Sequence, residues 1–339
     1  MIRSSFIIVF FSFILSKAIG QEALNDGPYI FIEDQQLVEK SVVEGVAVRK
    51  ELTDAYDTIF RVQPSIFTGV DKIAALSDIH GQYDLAVEIL RNNQIIDAEL
   101  NWSFGDGHLV IVGDIFDRGD KVTVALWLIY ELEQQARAVD GRVHYLLGNH
   151  EYMVLHKDLR YLHEKYPLVS ELLETEYDEL YGSNTVLGRW LRSKHTILKI
   201  NEHLFVHGGI SQDFITSAGV DIEAINETMR KSIDRSKDEM KSTDFYSTYY
   251  GSTGPIWYRG YFYDPISEIT VDSILTQVKS EHIIVGHCSN DEVVIRYNNK
   301  VFGVDSSIKK GEYGEILFLL GEEYYRGTKS GERVELNRE

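Results

Sequence analysis

The sequence predicts a mixed α/β (α+β) fold built around a central sheet. Three observations carry this. Apolar, strand-length runs alternate with helix-period segments between residues 73 and 147. Short apolar runs with close turns return between residues 282 and 320. Side chains suited to metal binding stand directly after several of these runs, where open α/β sheets gather their sites.

Ile73 to Leu76 reads as a buried strand, Leu85 to Ile96 as a helix, and Leu109 to Val112 as a second strand. Val122 to Ala138 reads as a long helix and Val143 to Leu147 as a third strand. This βαβαβ pattern places helices outside a sheet. A long helical stretch is expected after Glu151, and its acid-rich run Glu171 to Glu179 reads as a solvated face. Ile197 to Ile200 and His203 to Val206 read as a hairpin around Asn201-Glu202. Asp234 to Tyr250 is polar and tyrosine-rich and reads as a mobile excursion over or near the site. His282 to Val285, Val293 to Tyr297, Val301 to Val304 and Ile316 to Leu320 suggest an antiparallel meander, with a turn at Asn298-Asn299.

The 339 residues allow one large domain or two ordinary ones, and 44% apolar content supplies a core. The first 20 residues read as an export signal: Arg3 supplies positive charge, Phe6 to Leu15 the apolar run, and Ala18-Ile19-Gly20 a small-residue cleavage site before Gln21. That run is shorter than the ~20 residues of a membrane-spanning helix. The mature chain is thus expected in the periplasm or secreted, without stable membrane insertion. Residues 21–70 form a lead-in, 71–325 a catalytic domain, and 326–339 a polar tail. Cys288 is the only cysteine, which excludes an internal disulfide, and it reads as a small buried residue at a strand end. The net charge of −19 argues against nucleic acid as the main substrate.

Five stretches carry the chemistry: SDIHGQYD, VGDIFDRGD, LLGNHE, FVHGG and IVGHC. They set Asp78, His80, Asp114, Asn149, His207 and His287 just after apolar runs, and Gly113 and Gly148 permit sharp turns there. Asp78 and His80 can share one metal, Asp114 can bridge to a second, and Asn149, His207 and His287 can complete that second site. Carboxylate, amide oxygen and imidazole together suit Mn, Fe or Zn. Two such divalent ions ~3.5–4 Å apart can hold a hydroxide for direct attack on a phosphate ester. His150 is the candidate general acid and Asp117 its partner. Arg118 and Arg259 are candidates to grip the phosphoryl oxygens. Trp257 and Tyr258 could line a wall for an aromatic leaving group or belong to the core. His108, His144, His156, His163, His195, His203 and His282 read as structural.

These motifs resemble those of the calcineurin-like metallophosphoesterase superfamily. SDIHG, GDIFDRG, GNHE and HGG resemble the phosphoprotein phosphatase family in particular, over Ile73 to Asp305. The resemblance implies a four-layer sandwich, two mixed β-sheets packed between helices, with the metals at one sheet edge. It implies the same division of ligands, with Asp78, His80 and Asp114 on the first metal and Asp114, Asn149, His207 and His287 on the second. It also implies phosphate contacts from Arg118 and Arg259 and an acid pair of His150 and Asp117. IVGHC stands where eukaryotic members carry Arg-Ala-His; with GPIWYRG, the GRWLRSK insertion (Gly188 to Lys194) and the export signal, it is similar to the bacterial Shewanella-like branch. Members of that branch act on phosphomonoesters and tend to prefer phosphotyrosine. The expectation is an exported phosphatase of phosphoproteins. The alternatives are a hydrolase of nucleotides or bis-nucleoside polyphosphates, and a non-catalytic metal-binding protein.

Overall fold

The computed structural model describes residues 23–53 and 56–336, so the expected export signal lies outside the described residues. The segment read as a lead-in folds into β1 (Asp26–Glu33), β2 (Gln36–Val43) and β3 (Val46–Leu52), a three-stranded antiparallel sheet. Its two tight turns are left-handed at Asp34-Gln35 and Glu44-Gly45, the backbone that matches strand twist in a two-residue hairpin.

The chain then alternates: β4 (Ile66–Phe67), β5 (Lys72–Leu76), α1 (Tyr83–Asn92), β6 (His108–Ile111), α2 (Val122–Arg137), β7 (Arg142–Tyr145) and α3 (Asn149–Leu155). β5, β6 and β7 are parallel and adjacent, as the βαβαβ pattern predicts. The helical stretch expected after Glu151 is present, in several short pieces. These are α3, α4 (Lys165–Leu173), a 3₁₀ turn at Tyr177–Tyr181 and α5 (Val186–Leu191). Lys157 and Glu174 adopt left-handed backbone just after α3 and α4, which ends each helix.

β8 (Ile197–Ile200) and β9 (His203–Val206) form the expected hairpin. α6 (Gln212–Ala218), α7 (Ile222–Ser232), α8 (Lys237–Lys241) and α9 (Phe245–Tyr250) follow, so the tyrosine-rich excursion is largely helical. α10 (Glu268–Val278) leads to β10 (His282–Val285), β11 (Val294–Arg296), β12 (Val301–Gly303), β13 (Glu315–Leu320), β14 (Glu323–Thr328) and β15 (Arg333–Glu335).

Of the predicted meander, only β11 and β12 pair antiparallel in sequence, across the Asn298-Asn299 turn. β10 lies between β9 and β12 and is parallel to both. β13 crosses to the other sheet and pairs antiparallel with β5 and β14. The sequence of β10 explains this. It is continuously apolar beyond His282 and buried on both faces, the character of a central parallel strand. The tail predicted from residue 326 is also corrected, because β14 and β15 extend the first sheet. Tyr324 is buried there, and the Arg333 guanidinium lies 4.1 Å from the Phe318 ring centre.

The two large sheets run β15-β14-β13-β5-β6-β7 and β11-β12-β10-β9-β8-β4. Ile73, Ala75, Val110 and Val112 of the first share a core with Leu198, Phe205, Ile284 and Phe302 of the second. The alternate residues Ala74, Leu76, Leu109 and Ile111 join the core that includes the helices. A period of two thus gives each sheet one face toward its partner sheet and one toward helices, as a four-layer sandwich requires. Among the described residues, no helix is long and apolar enough to cross a membrane.

Candidate metal centre

The predicted ligands converge because the loops after neighbouring strands are stitched together. Asp78 N–H donates to Gly113 O at 3.0 Å, His80 N–H to Asp114 O at 2.9 Å, and Gly81 N–H to Ile115 O at 2.9 Å. Asp78, His80, Asp114, Asp117, Arg118 and His287 all have φ between 47° and 70°. Side-chain-bearing residues seldom adopt this left-handed backbone, and its concentration here is typical of strained functional loops. Gly148 leaves necessary room, since a Cβ there would sit 2.3 Å from Asp114 Oδ1.

Asp114 belongs to two donor groups. Its carboxylate lies with His80 and His150 in one, and with His207 and His287 in the other, donor atoms in each being within 4.8 Å. His80 donates Nδ1–H to Phe116 O at 2.6 Å, which leaves Nε2 facing Asp78 Oδ1 at 3.8 Å and Asp114 Oδ2 at 3.7 Å. Asp78 Oδ2 is occupied by Ser77 Oγ–H at 2.5 Å and His287 N–H at 2.9 Å, so Oδ1 is the oxygen left to coordinate. On the second side His207 donates Nδ1–H to Val112 O at 2.8 Å, while Nε2 meets Asn149 Oδ1 at 3.0 Å and Asp114 Oδ2 at 3.1 Å. His287 Nε2 is buried without a hydrogen-bond partner in the described residues.

The charges fit a pair of cations. Burial, reinforced by Asp305, pushes Asp78 up to about 7. Burial would raise Asp114 too, but His207 and His150 hold it well below the usual carboxylate range. Burial would lower His207, yet Asp114 outweighs it and carries the imidazole to about 10. Buried carboxylate charge needs a positive partner. His207 is the imidazole nearest to that charge, 3.1 Å from Asp114 Oδ2. The donors themselves, carboxylate, amide oxygen and imidazole, suit divalent transition ions.

His150 and Asp117 meet as predicted, with Nδ1 2.5 Å from Oδ2. Burial would lower His150, but Asp114 and Asp117 raise it above its ordinary value. Arg118 points its Nε at His80 Nε2, 3.3 Å away, and a terminal nitrogen at His150 Nε2, 3.4 Å away. Arg259 and Trp257 line a cleft of about 840 Å³ that opens from Asn149 and runs past α8 and α9. The Trp257 ring meets the His287 ring edge-on at 5.5 Å. Tyr258 borders the same cleft but is 9% exposed and packs on Tyr261, so most of its ring belongs to the core.

The sequence reading assigned no role to Glu151. Its fully buried carboxylate accepts from Asp114 N–H at 2.8 Å, Ile115 N–H at 2.7 Å, Phe116 N–H at 3.2 Å and Gly148 N–H at 2.7 Å. It therefore fixes the loop that carries Asp114. An acid in the first turn of a helix that begins with ligands was the signal available. The histidines read as structural stay outside both donor groups. His108 and His144 bond each other at 3.1 Å, and His203 stacks on His282. Cys288 is buried, as read, and burial pushes its thiol up to about 12.

Residues 71–307 match the family of calcineurin-like phosphoesterases. The fold superposes on the crystal structure of a cold-active protein-tyrosine phosphatase from a psychrophilic Shewanella species. The TM-score is 0.89 and the identity 40%, over 92% of this chain and 99% of that one. Shewanella-like protein phosphatase 1 of Plasmodium berghei is 25% identical over 250 residues, 70% of this chain and 67% of that protein. A serine/threonine phosphatase structure from Saccharomyces cerevisiae shares the fold at TM-score 0.50 and 14% identity, over 76% of this chain and 78% of that one.

Proposed function

This chain belongs to the calcineurin-like phosphoesterase family and is a phosphoester hydrolase of the Shewanella-like type, and on that premise we propose that it is an exported phosphatase of phosphoproteins with a preference for phosphotyrosine. The observation that carries this reading is Asp114, whose one carboxylate serves two donor groups beside the His150–Asp117 pair.

Asp78, His80 and Asp114 would hold one divalent cation, and Asp114, Asn149, His207 and His287 the other, both of the Mn, Fe or Zn class. Such a pair, when bound, activates water and polarises the phosphate ester. The rest falls to side chains. Arg118 and Arg259 bind and orient the phosphoryl oxygens. His150 gives its proton to the leaving oxygen, and Asp117 keeps the imidazole protonated and aimed. The preference for phosphotyrosine is supported by the likeness to a protein-tyrosine phosphatase and by the aromatic cleft beside Arg259. Export is supported by the charged, then apolar, first 20 residues.

The test is a side-by-side measurement of kcat/KM on a phosphotyrosine peptide, a phosphoserine peptide and a dinucleoside polyphosphate, with elemental analysis of the same preparation. The phosphotyrosine peptide is expected to lead, with two metal equivalents per chain. A faster rate on the dinucleoside polyphosphate would replace the reading. N-terminal sequencing of the mature protein is expected to begin at Gln21.

A further inference from the structure

Tyr161 has no role in the chemistry above, yet it touches two groups that do. It lies in the loop between α3 and α4. Its carbonyl accepts the Arg118 N–H at 3.0 Å. Its ring centre is 5.3 Å from the Arg118 guanidinium and 5.2 Å from the His150 ring, tilted at 50° to that imidazole. The Arg160 guanidinium, tied to Asp158 at 2.8 and 3.0 Å, lies 5.6 Å from the same ring. With all these contacts the residue is still 43% exposed. A large ring is thus held in place by cations and left open to solvent beside the proton donor.

The position has a chemical consequence. A leaving group protonated by His150 must lie against the imidazole. A partly exposed aromatic ring next to that imidazole therefore lies beside the departing alcohol. A phenol can pack against such a ring edge-on or offset, whereas the single methylene of a serine cannot. We propose that Tyr161 is a specificity-determining residue whose ring receives the aromatic leaving group of the substrate. The inference rests on reading His150 as the general acid. It adds a residue that the motifs do not contain, on the His150 and Arg118 side of the centre, whereas Trp257 stands beside His287.

Two probes that need no turnover test it on the metal-loaded full chain: orthophosphate and phenylphosphonate, bound in a calorimeter. Tyr161→Ala is expected to weaken phenylphosphonate by roughly three- to tenfold, the range of an aromatic pair, and to leave orthophosphate nearly unchanged. Tyr161→Phe, which keeps the ring, is expected to bind both like the wild type. Equal weakening of both probes by Tyr161→Ala would make the residue a prop for Arg118 and overturn the inference, as would unchanged binding of both. In turnover, Tyr161→Ala should lower kcat/KM for a phosphotyrosine peptide while sparing a phosphoserine peptide. Failure of the phosphoprotein reading would instead appear in the wild-type substrate panel, which the two binding probes do not depend on.

Discussion

Asp117 Oδ2 lies 2.5 Å from His150 Nδ1, with both side chains buried. The contact engages Nδ1, leaves Nε2 as the outward nitrogen and stabilises the ring's positive form. Asp117→Asn should therefore lower kcat by roughly 10²- to 10⁴-fold, most for alkyl and least for nitrophenyl leaving groups. Metal content should not change. A general acid must be protonated to act, so on the proposed role of the raised His150 wild-type rates should fall as pH rises through its elevated pKa. In Asp117→Asn that fall should begin at lower pH. A uniform loss over all leaving groups would count against the acid role.

Asp114 is shared by both donor groups, so its loss disturbs both sites. Asp114→Asn should abolish nearly all turnover and reduce bound metal, read by elemental analysis. Wild-type turnover with two metals still bound would show that the bridge is misassigned.

Glu151 accepts four backbone N–H groups around Asp114. Glu151→Gln turns an amide NH₂ toward some of those donors and removes the charge. Hydrogen bonds to a charged group contribute about 1.5–3 kcal/mol each, so a loss of roughly 3 kcal/mol is expected in denaturant unfolding. Metal affinity should fall with it, although Glu151 is not a ligand. An unaltered midpoint in urea would remove Glu151 from this role.

Removing metal should destabilise the fold. Asp78, Asp114 and Asp305 are buried close enough for their charges to interact, and cations relieve that repulsion. Ligand at about 100 times its Kd contributes ~2.7 kcal/mol. Exhaustive chelation should thus lower Tm by about 5 °C, and added Mn or Zn should restore it. No change in Tm on chelation would mean that the carboxylates are neutralised in another way.

Acid should destabilise the protein through its buried histidines. Burial lowers His108 and His156 to about 4 and His203 to about 3. Their folded pKa values lie below the unfolded value near 6.5, so the unfolded chain takes up protons first as pH falls. The stability they provide is complete above pH ~6.5 and is lost toward pH ~4, at up to about 1.4 kcal/mol per pH unit for each histidine. A Tm series across that window should slope downward, and His203→Gln should flatten part of the slope. A flat series would show that these imidazoles charge freely in the fold.

How far the sequence reached depended on whether the signal was local. Asp78, Asp114 and Asn149 were legible because each follows an apolar run closely. Turn glycines stand directly before Asp114 and Asn149, and side-chain period and turn chemistry are properties of neighbouring residues. Glu151 was visible as a letter but not as a role, since three of its four partners, Asp114, Ile115 and Phe116, come from a distant loop and only Gly148 is local.

The sequence by itself determined the parallel β5-β6-β7 unit, which side chains gather at its edge and the contact of His150 with Asp117. Only the tertiary structure decided that β10 is a central parallel strand, that β14 and β15 extend the sheet, that Trp257 and Tyr258 both border the cleft, and that Tyr161 packs beside His150. The physical reason is range. Strand and turn preferences act over a few residues, whereas sheet order and the exposure of one ring depend on which distant surfaces bury each other.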